Sequence, residues 1–173
     1  MRVVVPFTEL HLATDIALQN LAPHAERIDV SAAAYPATAY WELLKRMWAD
    51  GESFIVIEHD IEIHDSVLES FETCAEPWCV FPYLYRGRSL FENGLGCVRF
   101  SDRLIETTPN LFAGMRPAHW TSLDGALCNH LEKRADEFGL RPGYRPHLHW
   151  PEVRHHDEGK PLTREVFPPA GVR

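Results

Sequence analysis

The sequence predicts an α/β fold, a single domain with a mostly parallel central sheet flanked by helices. Three observations predict it. The run Phe54 to Ile57 is wholly apolar, β-branched or aromatic, and has the pattern of a short strand buried on both faces. Segments of helical spacing stand between it and two earlier strand-like runs, giving the order β-α-β-α-β that right-handed parallel crossovers connect. The 173 residues are the length of one domain, enough to bury a full core without staples.

The elements follow in order. Arg2 to Phe7 is a β-branched run and reads as the first strand, ending at Pro6. Ala13 to Leu21 carries Ile16, Ala17 and Leu21 at helical spacing, and Pro23 closes it. Arg27 to Ser31 is a short second strand. Thr38 is placed to cap a helix from Ala39 to Ala49, with Tyr40, Leu43, Leu44, Met47 and Trp48 as a core-facing stripe and Asp50-Gly51 as its stop. After the apolar strand, Ser66 caps a short helix through Val67, Leu68 and Phe71. Trp78 to Tyr85 is a strand interrupted by Pro82, and so an edge or a bent strand. Arg86 to Ser89 is a polar loop, and Asn93 to Phe100 runs from a glycine turn into a strand. Asp102 to Glu106 is a short helix. Thr121 opens the longest one, running to Phe138 and stopped by Gly139. Tyr144 to Trp150 and Glu152 to His156 follow. Residues 1–156 form the domain. Residues 157–173, rich in Pro, Gly and charge, read as a tail laid over the surface and a candidate lid.

Composition narrows the function. A net charge of -8 argues against nucleic acid or an anionic membrane as the main partner. An anionic small ligand stays compatible where a metal or a local basic patch neutralises it. Cys74, Cys79, Cys97 and Cys128 show neither CxxC pairing nor zinc-ribbon spacing, and read as reduced, buried thiols of a cytoplasmic protein. No apolar run reaches the ~18 residues of a membrane span, and the start is too short an apolar stretch for a signal peptide.

The chemistry concentrates just after Ile57. Glu58, Asp60 and Glu62 follow at alternating positions, so a strand continuing through Glu62 would set all three on one face. Carboxylates side by side repel, and burying them unpaired is costly. A hard divalent cation such as Mn²⁺ or Mg²⁺ relieves both problems, which makes Asp60 and Glu62 candidate ligands. The ordinary alternative is a solvated acidic edge. What favours a ligand site is that an apolar strand delivers the acids at its carboxyl end, where open α/β sheets bind.

Three further groups stand out. Gly94 and Gly96 flank Leu95 without the third glycine or the helix of a dinucleotide fingerprint. They read as a tight turn of positive φ or as a close approach to a ligand. Asp124 follows Thr121 by three residues, as a capping carboxylate would, or as a base projecting into a cleft. His119 and Trp120 before it suggest a stacking wall. His147, His149, His155 and His156 bracket Trp150-Pro151, and one of them suits a borderline metal such as Mn²⁺ or Zn²⁺.

Taken in this order, the pieces resemble the GT-A glycosyltransferases, in particular the small family 2-like members. The likeness spans roughly residues 2 to 156 as an order of elements, and only the short motifs match closely. It implies a Rossmann-like domain that takes a nucleotide-sugar donor and an acceptor, a glycan or a protein. Glu58-His59-Asp60 stands where the family has Asp-x-Asp, which implies Asp60 on the divalent cation, Mn²⁺ or Mg²⁺, at the donor diphosphate. Glu58, a departure from the usual Asp, would contact the ribose or donor sugar. Val3 to Phe7, with Pro6, is similar to the first strand and base-binding loop. Gly94 to Arg99 looks like the glycine-containing strand of the donor-sugar and acceptor pocket. Asp124 matches the carboxylate that deprotonates the acceptor in inverting members. A late metal-binding His falls within His147 to His156, with His149 and His155 as candidates. Two other readings stay open: a metal-dependent hydrolase using Asp60, Glu62 and the histidines, and an inactive nucleotide-sugar-binding module.

Overall fold

The computed structural model describes residues 1–31, 33, 35–85 and 89–156. The predicted tail and lid, and Arg86 to Arg88 of the polar loop, lie outside the described residues. A six-stranded sheet forms the centre: β1 (Arg2–Phe7), β2 (Glu26–Asp29), β3 (Phe54–Ile57), β5 (Trp78–Val80), β8 (Cys97–Phe100) and β9 (His147–Leu148), in the order β2-β1-β3-β8-β5-β9. β1 pairs in parallel with β2 and β3, and β5 with β9, whereas β8 is antiparallel to both its neighbours. Five strands therefore share one direction and β8 alone opposes them. The fold is α/β with a mostly parallel sheet. Two small antiparallel ladders stand beside it, β4 (Ile61–Glu62) with β10 (Arg154–His155), and β6 (Tyr83–Tyr85) with β7 (Ser89–Phe91).

Alternation of side chains splits the core into two layers. Phe54 and Val56 of β3 face one way, with Val98, Phe100, Trp78 and Val80 of the neighbouring strands. Helix α2 (Ala39–Asp50) covers that face with the stripe Tyr40, Leu43, Leu44, Met47 and Trp48. Helix α5 (Leu123–Lys133) adds Leu123, Leu127 and Leu131. Ile55 and Ile57 face the other way, beneath α1 (Leu12–Leu21) and α3 (Ser66–Thr73). All four residues of β3 are buried, as a strand covered on both sides must be. Trp48 sets its ring edge against Phe100 at 5.3 Å, and its indole N–H donates to the Thr108 carbonyl at 2.9 Å just past α4 (Asp102–Thr107). Helix α2 stops where the sequence predicts. Gly51 takes φ 78°, a left-handed conformation that costs glycine little, and its N–H returns to Trp48.

Four expectations change. β1 runs on through Pro6 to Phe7. The ladder with β3 ends at Val4, two residues before a proline that has no N–H to donate. The strand at Pro82 is neither one bent strand nor an edge: its first half, β5, lies inside the central sheet and its second, β6, joins another. A 3₁₀ turn, Trp120–Ser122, precedes α5, with His119 rather than Thr121 as its cap, and α5 ends at Lys133 instead of reaching Phe138. The acidic stretch does not continue as a strand. The chain turns between Glu58 and Ile61, whose amide donates to the Glu58 carbonyl at 3.1 Å, and β4 begins in another sheet.

Candidate functional site

The carboxyl edge of the parallel strands gathers the chemistry. β3 ends at Ile57, which pairs with Cys97 at the start of the opposed strand β8. The Glu58 amide donates to the Gly96 carbonyl at 2.8 Å, so the acidic turn and the glycine segment emerge side by side. From the loop after β1, the His11 amide donates to the His59 carbonyl at 2.9 Å. On the far side, the His156 amide donates to the Asp60 carbonyl at 2.8 Å, and β10 pairs Arg154 with Glu62 and His155 with Ile61. Three chain segments thus hold one four-residue turn.

The turn sorts its acids. Asp60 directs Oδ2 to His155 Nε2 at 3.1 Å, with His59 Nε2 at 4.0 Å. Burial pushes the Asp60 carboxyl up, but the hydrogen bond and charge of His155 outweigh it and hold it below the usual aspartate range. Its other oxygen, Oδ1, is buried without a hydrogen-bond partner. Glu62 points elsewhere. It meets His156 Nε2 at 2.9 Å and the Arg154 guanidinium at 3.5 Å. The three carboxylates expected on one strand face are therefore not set in a row, because the turn at His59-Asp60 resets the alternation.

Asp124 takes the place left beside Glu58. Burial drives the Glu58 carboxyl well above the ordinary glutamate range, the charges of Asp124 and then Asp60 add to it, and the Tyr40 hydroxyl partly offsets them. That buried hydroxyl also lies 3.3 Å from the Leu95 carbonyl. Burial raises Asp124 from 3.8 to about 6, opposed by the backbone N–H of Leu95 and its own amide. Asp124 therefore sits in the first turn of α5 but reaches across to the glycine segment, and does not reciprocate a Thr121 cap.

The glycines admit a ring rather than a turn. Neither Gly94 nor Gly96 has positive φ. A Cβ on Gly96 would lie 2.7 Å from the Tyr83 ring and 3.1 Å from Ile61, and one on Gly94 would run into the Tyr83 hydroxyl. Tyr83 in turn stacks on His155, centroids 5.2 Å apart and planes within 11°. The close approach expected of a ligand is made by Tyr83, which backs the histidine that holds Asp60.

The remaining candidates divide. Trp120 is 57% exposed beside His119 and is available as a stacking wall. Pro6 is buried within β1, so its ring offers no surface to a base. His149 does not join Asp60. It packs on Phe81 and Phe71, beside Cys74 and Cys79. Burial lowers its pKa, as do the neighbouring His147 and Arg99. Sequence reasoning missed His11 and Tyr83 and took Tyr40 for core alone. His11 caps α1 through Nδ1 and lies flat on His156, centroids 4.1 Å apart. Its position in the loop directly after β1 was the available signal, because that loop opens at the carboxyl edge of the parallel strands, where open α/β sheets bind ligands.

No family model and no curated protein matches the chain. Among solved structures it is similar to a crystal structure of A197 from STIV, at 16% identity, over 61% of this chain and 68% of that one, with a TM-score of 0.44. No helix among the described residues is long and apolar enough to cross a membrane.

Proposed function

We propose that this chain is a divalent-cation-dependent glycosyltransferase that moves a sugar from a nucleotide-sugar donor to an acceptor hydroxyl. The observation that carries the reading is the meeting of Glu58 and Asp60, from one turn, with Asp124, from a helix start, at the carboxyl edge of the sheet, each in a different electrostatic state. Asp60 fits a cation. It stays ionised, and its Oδ1 is buried without a partner. Asp60 would hold Mn²⁺ or Mg²⁺, with His155 fixing the carboxylate and Glu62 tied back by His156 and Arg154. The cation supplies charge stabilisation for the leaving diphosphate.

The chain's own groups do the rest. Asp124, with a pKa of about 6, is ionised at neutral pH and basic enough to take the proton of an acceptor hydroxyl. Burial raises the Glu58 carboxyl well above the ordinary glutamate range, and its protonated form is suited to hydrogen bonds with ribose or sugar hydroxyls. The exposed Trp120 offers a ring face to a sugar or base.

A melting-temperature screen of nucleotide sugars, with and without Mn²⁺, tests the reading. A ligand that binds only the native state raises the melting point. The expected result is a rise for one nucleoside class that needs the cation and is lost in Asp60→Ala. Cation-dependent release of sugar without an acceptor, at the full turnover rate, would instead make the site a hydrolase. Cation-dependent donor binding with neither transfer nor release would make it a binding module.

A further inference from the structure

A second cluster lies away from the acidic turn. The register pairs Arg99 of β8 with Cys79 of β5, and Cys79 with His147 of β9, so these three side chains share one face of the sheet. His149, two residues beyond His147, returns to that face, with its amide bonded to the Val80 carbonyl at 2.9 Å. The end of α3 brings Cys74 over the same row. The two sulfurs are 2.7 Å apart, and one ligand atom from each of Cys74, Cys79 and His149 lies within 4.8 Å of the others.

The arrangement leaves polar atoms without use. The His149 ring lies between Phe81, at 5.1 Å, and the edge-on Phe71, at 5.8 Å, and its Nε2 is buried with no hydrogen-bond partner. An orphaned buried nitrogen costs stability and calls for an explanation such as an ion. Arg99 is occupied. Its Nη1 donates to the carbonyls of Glu76 at 3.0 Å and Cys74 at 3.2 Å, and reaches the Cys79 sulfur at 3.6 Å. It thereby fixes the loop from Cys74 to Cys79 over the sheet.

We propose that Cys74, Cys79 and His149 form a structural zinc site that clips the end of α3 to the β5–β9 edge. Two thiolates and an imidazole suit Zn²⁺ and not the oxygen-seeking Mg²⁺. On binding, each thiol releases its proton to solvent as its sulfur bonds the metal, so the two thiolates balance the ion's charge. The fourth position falls to water or to His147, whose ring centroid is 4.8 Å from that of His149. Tetrahedral bonds of about 2.3 Å would hold the sulfurs roughly 3.8 Å apart. Cys74 must therefore swing back by about 1 Å. It is half-buried at the helix end, with extended backbone (φ -70°, ψ 123°), at the margin of the core that α3 covers.

The test titrates reduced, chelator-stripped full-length protein with Co²⁺ and then Zn²⁺. Asp60→Ala is used as the background, so that the acidic turn takes up no ion. The expected result is one equivalent of Co²⁺ with a thiolate-to-cobalt charge-transfer band, displaced by Zn²⁺. Cys74→Ser and Cys79→Ser should abolish the band. His149→Ala should weaken binding by more than the roughly 10–100-fold that changes around a metal's ligands cost. Cys79 is buried, so the half-buried Cys74→Ser is the variant read if Cys79→Ser does not fold. Absence of the band in the reduced protein overturns the proposal, as does a band that survives in Cys74→Ser. So does a loss of two titratable thiols on mild oxidation by a protein that never retains zinc when reduced, because the pair is then a disulfide.

Discussion

Asp124→Asn separates a catalytic base from a helix cap by moving stability and activity in opposite directions. Folding raises the Asp124 carboxyl from 3.8 to about 6. A group raised in the folded state contributes stability that is complete below its unfolded value and is lost as pH rises through its folded value. Here the loss falls between about pH 4 and pH 7. At about 1.4 kcal/mol per pK unit, the ionised carboxylate costs up to about 3 kcal/mol at pH 8. Asn keeps an acceptor for the Leu95 N–H and carries no charge, so it removes that cost. The variant should be more stable than the wild type by about 1–3 kcal/mol at pH 8, a rise of several degrees in melting temperature for a chain of this size. At pH 4 the difference should shrink towards zero. Turnover should fall by roughly 10²–10⁴, because Asn accepts no proton. Wild-type turnover should itself rise with pH through about 6. The assays are melting curves at both pH values and steady-state transfer with the donor found by the screen. A variant less stable by a similar amount at pH 4 and pH 8, with near-normal turnover, would refute the reasoning and leave Asp124 as a helix-terminus carboxylate.

Two further outcomes follow from the geometry of the turn. His155→Ala removes the 3.1 Å partner of Asp60 and should weaken Mn²⁺ binding by about 10–100-fold in calorimetry; unchanged affinity would show that Asp60 needs no such support. Gly96→Ala drives a methyl into the Tyr83 ring and should cost about 1–3 kcal/mol, measured by urea unfolding. Tyr83→Ala in the same chain should recover part of that loss, and a purely additive pair would deny the contact.

What the sequence made legible was what local pattern encodes. Phe54 to Ile57 names its own burial, and the stripe of α2 names its face and its stop at Gly51. Direction is not a local property. Nothing in Cys97 to Phe100 tells that β8 runs against its neighbours, because an antiparallel strand buried on both faces has the same apolar composition as a parallel one. β4, β9 and β10, at two residues each, are too short to carry a period. The acids were placed at the carboxyl edge of the sheet through a continuous strand that does not exist. The turn at Glu58–Ile61 depends on amides donated to or accepted from Gly96, His11 and His156, all distant in sequence. His149 and the two cysteines meet through sheet register across some seventy positions, and their spacing matches no metal motif.

The turn also explains why neighbouring carboxylates differ. Had the strand continued, Glu58 and Asp60 would share a face and a common repulsion. The break sends Asp60 to His155, which stabilises its charge, and leaves Glu58 against Asp124, which opposes its charge. Burial first and then Asp124 push Glu58 up, His155 holds Asp60 down, and burial raises Asp124 to about 6. On the proposed reading, such separation lets one site hold a fixed anion at Asp60 and a proton acceptor at Asp124. Burying carboxylates together costs more than leaving them solvated. The cost is supported from outside the site, by the aromatic layer under α2 and by the stack of Tyr83 on His155. On the proposed reading, the cation answers the anion, the sugar hydroxyls answer Glu58, and the acceptor answers Asp124. Occupancy should then relax the repulsion that the free protein holds in place.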